Sequence, residues 1–224
     1  MARTKPRRVP LSRQRIIDAA VEVADREGLG AVTMRRLGQQ LGVEAMSLYK
    51  HVADKDDVLA GIADRVASEF ELPSRDVDWR MAIRASSIAA YVVLSRHPWA
   101  GPLLESDFDP GPARLAYLDA VVDVLHDAGF SLQDVAHAFG ALDSHLYGFT
   151  MQVASWPFGV DEYAEVATEL AAGLDPERYP NLIAMATMVG QEGGVPLDFT
   201  FGLDLLLDGL ARRLEASEQR VAGA

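Results

Sequence analysis

Residues 33–55 are the part of the chain whose residue types and spacing suggest a specific chemistry. Thr33 precedes a short helical stretch in which Leu37 and Leu41 share one face. Gly42 and Val43 follow, and a second short helix is predicted over residues 44–51. Two short helices joined by a tight glycine turn are the signature of a helix-turn-helix, which places its second helix in the major groove of DNA.

The outward positions of the second helix fit such a groove-facing surface. They are mostly small or polar, whereas Leu37, Leu41, Val43 and Leu48 are expected to pack inward: Glu44, Ala45, Met46, Ser47, Lys50 and His51. An ordinary helical hairpin in a core is the alternative that the pattern alone leaves open. For Tyr49 and His51 the alternatives are a packing aromatic and a capping histidine.

The charge distribution agrees with a nucleic-acid-binding module on a different scaffold. The chain has 224 residues and a net charge of −12. Residues 1–55 carry a net charge of +5, whereas the remainder carries −17. A basic N-terminal tail that arose by chance would give the same difference in net charge between the two parts of the chain.

Apolar periodicity predicts helices throughout, so the expected fold class is all-α. Predicted helices cover residues 12–27, 33–41, 44–51 and 55–70, and a boundary is placed near residues 71–74. Ser12, Thr33, Asp54, Asp78 and Ser131 are expected to cap helix starts. Helices then follow from Asp78 to near Pro98, from Pro112 to Gly129 with Leu115, Leu118, Val122 and Leu125 inward, and over 131–153, 161–173, 180–190 and 198–216.

The last predicted helix is apolar almost all round, from Phe199 to Leu214. Such a helix is either central in a core or part of a subunit interface. Composition excludes a disulfide-stabilised fold, a cysteine-dependent site and a membrane-spanning helix. Cysteine is absent, the longest apolar run is only Ile88 to Leu94, and no secretory signal is expected, so a cytoplasmic protein is predicted.

With these residues in place, the chain resembles the tetracycline-repressor (TetR) family of regulators. The resemblance is carried by Val32–Gly38, Leu41–Val43, Ser47–Val52 and Lys55. It continues more weakly through Trp79, Gly129–Leu132 and Phe199–Leu210.

The resemblance implies DNA contacts residue by residue. Thr33, Tyr49 and Lys55 match phosphate-contacting positions, and Arg35 matches a position that contacts a base edge. Base-reading positions correspond to Ala45, Met46, Lys50 and His51, which differ from the tetracycline repressor's own residues and therefore imply a different operator. Lys5, Arg7 and Arg8 are candidates for further backbone or minor-groove contacts, or form a solvated tail.

The resemblance also implies two domains and a homodimer. Residues 1–57 are expected to bind double-stranded DNA, helix 55–70 to connect, and residues 58–224 to bind a small-molecule effector and dimerise. The dimer surface is expected to be a four-helix bundle of residues 131–153 and 198–216 from each subunit. Two half-sites about 34 Å apart need two linked modules.

The effector is expected to be largely apolar. Ser86, Leu104, Val121 and Phe70 or Glu71 stand where the tetracycline repressor has its ligand and magnesium side chains, and they do not retain that chemistry. No cofactor or metal is therefore expected. For each candidate pocket residue, plain core is the favoured alternative to ligand contact. The candidates are Ser86, Ala90, Leu104, Ala136, Phe139, Asp143, Met185 and Met188.

An all-helical enzyme is the competing class. Paired Glu-x-x-His motifs are absent, and Asp134-x-x-His137 is a single, weaker imitation. Glycine-rich phosphate loops and Gly-x-Ser-x-Gly elbows are absent as well. No catalytic residue is predicted. A third hypothesis is a DNA-binding regulator whose helical domain binds a protein partner. The sequence favours a ligand-responsive repressor.

Overall fold

The protein is described here from a computed structural model that covers residues 10–106, 110–159, 162–192 and 198–222. In those ranges the secondary structure is helical, with no strand. The chain divides into two compact units, Met1–Phe139 and Gly140–Ala224. The all-α prediction is confirmed. None of the helices in the described ranges has the length and apolarity that crossing a bilayer requires.

The N-terminal part of the first unit is a small helical head, which we define as residues 11–52. It contains α1 (Arg13–Glu27), a 3-10 turn (Leu29–Ala31), α2 (Met34–Leu41) and α3 (Ala45–Leu48), and α4 (Lys55–Ala67) packs against it. One apolar cluster unites these helices. Its buried members include Ile16, Ile17, Ala20, Val23, Val32, Leu37, Leu48, Val52, Val58 and Ile62.

The starts of these helices are fixed by side-chain caps. The Ser12 hydroxyl accepts from the Arg15 amide at 3.3 Å, and Thr33 accepts from the Arg36 amide at 3.2 Å. The carboxylates of Asp54 and Asp78 accept amide hydrogens in the same way, as does the Ser131 hydroxyl. An oxygen acceptor at this position satisfies an amide that has no partner within the helix. The predicted caps are thereby confirmed.

The first unit continues with α5 (Trp79–Arg96), α6 (Ala100–Ser106) and α7 (Pro112–Asp127). Helix α4 packs against α6 and α7, and α5 packs against α7. The predicted inward placement of Leu115 is wrong, because its side chain is 52% exposed. The buried face of α7 instead carries Arg114, Tyr117, Val121, Val124 and Leu125.

The boundary between the two units falls within α8 (Leu132–Ala154). The second unit contains the part of α8 that follows Phe139, together with α9 (Tyr163–Gly173), α10 (Pro180–Glu192) and α11 (Phe199–Ala222). Helices α9 and α10 pair through Ala167, Ala186 and Val189. The His145 ring of α8 stacks on the Phe199 ring of α11 with centroids 4.8 Å apart. Its Nε2 atom also lies 2.9 Å from the Phe199 carbonyl oxygen.

One carboxylate connects α4 to α7. Asp64 Oδ1 accepts hydrogen bonds from the backbone amides of Ala113 at 2.9 Å and Arg114 at 3.1 Å. It therefore caps a helix from a different element of the chain. The approach requires a glycine, because a Cβ added at Gly111 would clash with the Asp64 carboxylate.

A second carboxylate connects the head to the helices that follow it. Asp25 Oδ1, near the end of α1, lies 2.7 Å from Nδ1 of His97 and accepts a 2.7 Å hydrogen bond from Nε1 of Trp99. The Trp99 side chain also packs against the apolar core of the head. The segment between α5 and α6 is therefore joined directly to α1.

Replacing Asp64 with alanine is expected to lower stability by about 1 kcal/mol, because two amides at the start of α7 lose their acceptor. For a chain of this size that corresponds to a fall in Tm of roughly 2–4 °C. Thermal unfolding followed by circular dichroism measures it. Asp119→Ala, which removes an exposed carboxylate from α7, is the control and should leave Tm unchanged. Equal Tm values for the two variants would contradict the capping role.

Candidate functional site

The turn between α2 and α3 is built on two glycines. Gly42 has φ +67°, a left-handed conformation that side chains with a Cβ rarely adopt. Gly38 lies where the two helices approach each other, and an added Cβ would be only 2.9 Å from the Val43 carbonyl oxygen. The turn is closed by the Val43 amide, which donates to the Gly38 carbonyl at 2.9 Å. These contacts fix the angle at which α3 leaves α2.

Helix α3 has a buried side and an exposed side, as a recognition helix requires. Leu48 is fully buried in the head core. Met46 is 75% exposed and Tyr49 45% exposed. Glu44, Lys50 and His51 are exposed, and Ala45 and Ser47 are half-buried. The predicted groove-facing residues are thus exposed or half-buried, and their role as DNA contacts stays a prediction.

The neighbouring residues Arg35 and Arg36 have different environments. Arg36 donates to both carboxylate oxygens of Glu27, at 2.6 and 3.0 Å, and also to Gln40. This hydrogen-bonded pairing holds the pKa of Glu27 below its usual range and raises the pKa of Arg36. Arg36 therefore joins α1 to α2, whereas Arg35 projects from the exposed surface of the head. The sequence alone did not distinguish these two roles.

Two predicted phosphate contacts stand at helix starts. Thr33 is exposed at the start of α2, and although its oxygen accepts from the Arg36 amide, its hydroxyl hydrogen is still available to a phosphate. Lys55 is the exposed first residue of α4. A lysine at a helix N-terminus adds its charge to amide groups that favour anions. The assignment of Tyr49, Lys55 and the other predicted DNA-binding residues as DNA contacts stays a prediction.

Acidic residues beside Lys55 are engaged with the protein. Asp54 accepts from the Asp57 amide at 2.9 Å. Asp57 accepts from Nη2 of Arg13 at 2.7 Å and from the Ala53 amide at 2.8 Å. The hydrogen bond from Arg13, followed by that from Ala53, holds the pKa of Asp57 below its ordinary value. Its contribution to stability is present at neutral pH and is lost as the pH falls through that lowered pKa.

The predicted pocket residues of the first unit fall into two groups. Ser86, Ala90 and Leu104 are buried, and the Ser86 hydroxyl donates to the Glu71 carbonyl at 2.7 Å. Phe139 is half-buried and Ala136 is exposed. The first three residues form part of the interior of the unit that also contains the head.

The predicted pocket residues of the second unit are more accessible. Met185 is 55% and Met188 47% exposed on α10, and Asp143 is half-buried on α8. Their assignment to the effector site stays a prediction. In the described ranges no group of three or more histidine, aspartate or glutamate side chains is arranged to hold a metal ion. The basic residues Lys5, Arg7 and Arg8 lie outside the described residues.

Sequence reasoning missed the residues that connect the head to the rest of its unit. Asp25, Asp64, His97 and Trp99 make contacts across 49 to 74 residues of chain. The only local signal was the pairing of a glycine and a proline at Gly111 and Pro112, which marks a helix start but not its capping partner.

Two family models match this chain. One, described as bacterial regulatory proteins, tetR family, matches residues 16–62. The other, described as the tetracyclin repressor-like C-terminal domain, matches residues 72–214. The first match contains the turn and both helices around it, and the second contains α5 to α10 and most of α11.

Named relatives agree with these matches. An HTH-type transcriptional repressor, DrrR1 of Streptomyces coeruleorubidus, is 30% identical over 92% of this chain and 80% of its own length. An HTH-type transcriptional regulator of Saccharopolyspora erythraea is 38% identical over 69% of this chain and 65% of its own length. Among solved structures, ActR of Streptomyces coelicolor in complex with (S)-DNPA has a TM-score of 0.75, with 25% identity over 91% of this chain and 98% of ActR.

Gly38→Ala is expected to destabilise the protein by about 1–3 kcal/mol, because the added methyl group must displace the backbone of the turn. Gly30→Ala is the matched control, since a Cβ there meets no atom within 4 Å. Chemical denaturation measures both variants. Similar midpoints for the two would show that the approach of α2 to α3 is not as close as described.

Lys55→Ala is expected to weaken binding to every DNA sequence and to reduce the dependence of log K on log salt by about one. Arg35→Ala should instead relax preference at one base pair, by about 1–3 kcal/mol of discrimination. Fluorescence anisotropy over a salt series measures these effects. Arg178→Ala, which removes an exposed cation from the second unit, is the control. An unchanged salt slope for Lys55→Ala would refute the phosphate assignment.

Proposed function

This chain belongs to the tetR family of bacterial regulatory proteins, and we propose that it acts as a homodimeric repressor, released from a palindromic operator by a small, largely apolar effector. It is a DNA-binding transcriptional regulator and not an enzyme. The relative DrrR1 is named a repressor, which supports repression as the sense of the regulation.

The observation that carries the proposal is the exposed surface of the head. Glu44, Met46, Tyr49, Lys50 and His51 are exposed in and beside α3, whereas Leu48 is buried. Thr33, Arg35 and Lys55 add donors and positive charge around it. A groove-sized helix flanked by phosphate-binding groups is the arrangement by which a helix-turn-helix binds DNA.

Exposed apolar side chains on α11 support the homodimer. Phe201 is 67% and Leu205 57% exposed, and their spacing of four residues places them on one face of the helix. Large exposed apolar side chains in one stripe are expected at a subunit interface. A dimer also supplies the second head that a two-half-site operator requires. We assign the interface to residues 131–153 and 198–216 of both subunits.

We place the effector site in the first unit, at α5 and α6. Ser86, Ala90 and Leu104 offer a buried, mostly apolar surface, which suits an apolar ligand held by few polar groups. The relative ActR has been solved with a small molecule, (S)-DNPA, which supports a small-molecule effector here. Since the target is the operator, we place the protein in the cytoplasm.

Release is proposed to act through α4. Asp64 binds the start of α7, and Asp25 binds His97 and Trp99, so displacement of α6 or α7 changes the orientation of the head. A ligand shifts this equilibrium only by as much as it prefers one orientation. Two heads with an altered separation no longer match two half-sites on the same face of DNA.

Selection from a randomised double-stranded DNA pool, at fixed physiological salt, tests the function. Enrichment of an inverted repeat is the expected result. Enrichment of a single half-site would contradict the dimer, and no enrichment at all would contradict sequence-specific DNA binding. Competition with unrelated DNA supplies the specificity ratio that makes the result interpretable.

Leu205→Glu is expected to convert the dimer into a monomer, because each subunit would place a charge in the apolar interface. Operator affinity should then fall by roughly a hundredfold, since the second head no longer binds intramolecularly. Sedimentation velocity and anisotropy measure the two effects. Leu170→Glu on α9, where the leucine is 49% exposed, is the matched control. A dimeric Leu205→Glu variant would refute the assignment of α11 to the interface.

A further inference from the structure

Arg114 is a buried cation, two of whose guanidinium nitrogens have no hydrogen-bond partner in the part of the chain that the structure describes. The residue is 8% exposed and stands in the first turn of α7. Its Nε and Nη1 atoms are buried and have no hydrogen-bond partner among the described residues. Buried polar groups in native proteins are almost always satisfied, so each exception requires an explanation.

An arginine cannot escape this situation by losing its proton. The guanidinium keeps its charge at all physiological pH values. Burial without a counter-charge is strongly unfavourable, and apolar residues of similar volume at such sites are often more stabilising. An anionic ligand would supply a partner for the two unpartnered guanidinium nitrogens.

The surroundings of Arg114 on α7 are apolar. Tyr117 and Val121 follow it at spacings of three and seven residues, and both are buried. The Tyr117 ring meets the ring of Phe70, which lies just after α4, edge to face with centroids 5.1 Å apart. A ligand that reaches the guanidinium through this interior must present an apolar or aromatic body to these side chains.

We propose that Arg114 binds an anionic group of the effector, which is thus an organic acid with an apolar body. This inference rests on the proposed function and names the chemical class of its effector. A carboxylate suits the site well, since its oxygens accept charge-assisted hydrogen bonds from a guanidinium in a matching planar geometry.

The same residue connects the ligand to the head. The Arg114 backbone amide donates to Asp64 of α4, while its side chain is the proposed anion-binding group. A bound anion brings a second negative charge to the turn that Asp64 caps. Repulsion between the two weakens that cap, and α4 with the head is then free to shift.

Two fluorescent probes with the same body test the inference. The anion 8-anilinonaphthalene-1-sulfonate and neutral N-phenyl-1-naphthylamine differ only in the sulfonate. Titration of the protein with each probe is expected to show that Arg114→Met weakens binding of the anion by about tenfold or more, whereas binding of the neutral probe is unchanged. Arg114→Lys, which keeps the charge, should retain part of the affinity for the anion.

Thermal unfolding separates this role from a structural one. Arg114→Met should unfold at the same temperature as the wild type or higher, because a buried cation with two unpartnered nitrogens has been replaced by an apolar side chain. A lower Tm for Arg114→Met would mean that the arginine stabilises the fold, and this would overturn the proposal.

Arg75→Gln is the matched control. Arg75 pairs with Asp123 at the surface of the same unit, in a cleft beside Trp79, and is 59% exposed at its side chain. Its loss should not change binding of the anion. Equal anion affinity in wild type and Arg114→Met, or a loss caused by Arg75→Gln alone, would overturn the assignment. Operator binding measured on the same preparations is expected to persist in Arg114→Met, so failure of the acid site is distinguishable from failure of the regulator.

Discussion

The proposed regulation depends on one contact, in which the Asp64 carboxylate accepts hydrogen bonds from two backbone amides at the start of α7. It is a helix cap whose acceptor comes from another helix, so it couples the position of α4 to that of α7. Gly111 makes room for it. Asp25, through His97 and Trp99, provides a second connection from α1. The head therefore has an orientation that the interior of its own unit determines.

This coupling gives a physical reason for the presence of Arg114 at a position where an apolar side chain of similar volume is often more stabilising. Asp64 and the buried Arg114 meet at the same turn, where the Asp64 carboxylate accepts a hydrogen bond from the Arg114 backbone amide. Such an arrangement is sensitive to added charge. A tightly packed apolar contact would transmit displacement equally well but would not distinguish an anionic ligand from a neutral one.

Local signals in the sequence were sufficient for the order of the helices and for their caps. They did not give the length of α3, which is predicted over residues 44–51 and observed over Ala45–Leu48. Thr33 and Asp54 act as predicted, because a cap depends on residues only three positions apart. Tertiary partners were not predictable. The packing of the helices determines that Arg36 rather than Arg35 pairs with Glu27. It also determines that Leu115 is exposed. The effector residues stay predictions for the same reason.

Hydrogen–deuterium exchange with and without operator DNA tests the coupling most directly, since linkage is reciprocal between the two sites. DNA bound at the head should change exchange not only at residues 33–55 but also at the start of α7, residues 111–117, and at residues 97–104. Changes confined to residues 33–55, with the α7 start unaltered, would contradict the account, because the head would then move without reference to the interior.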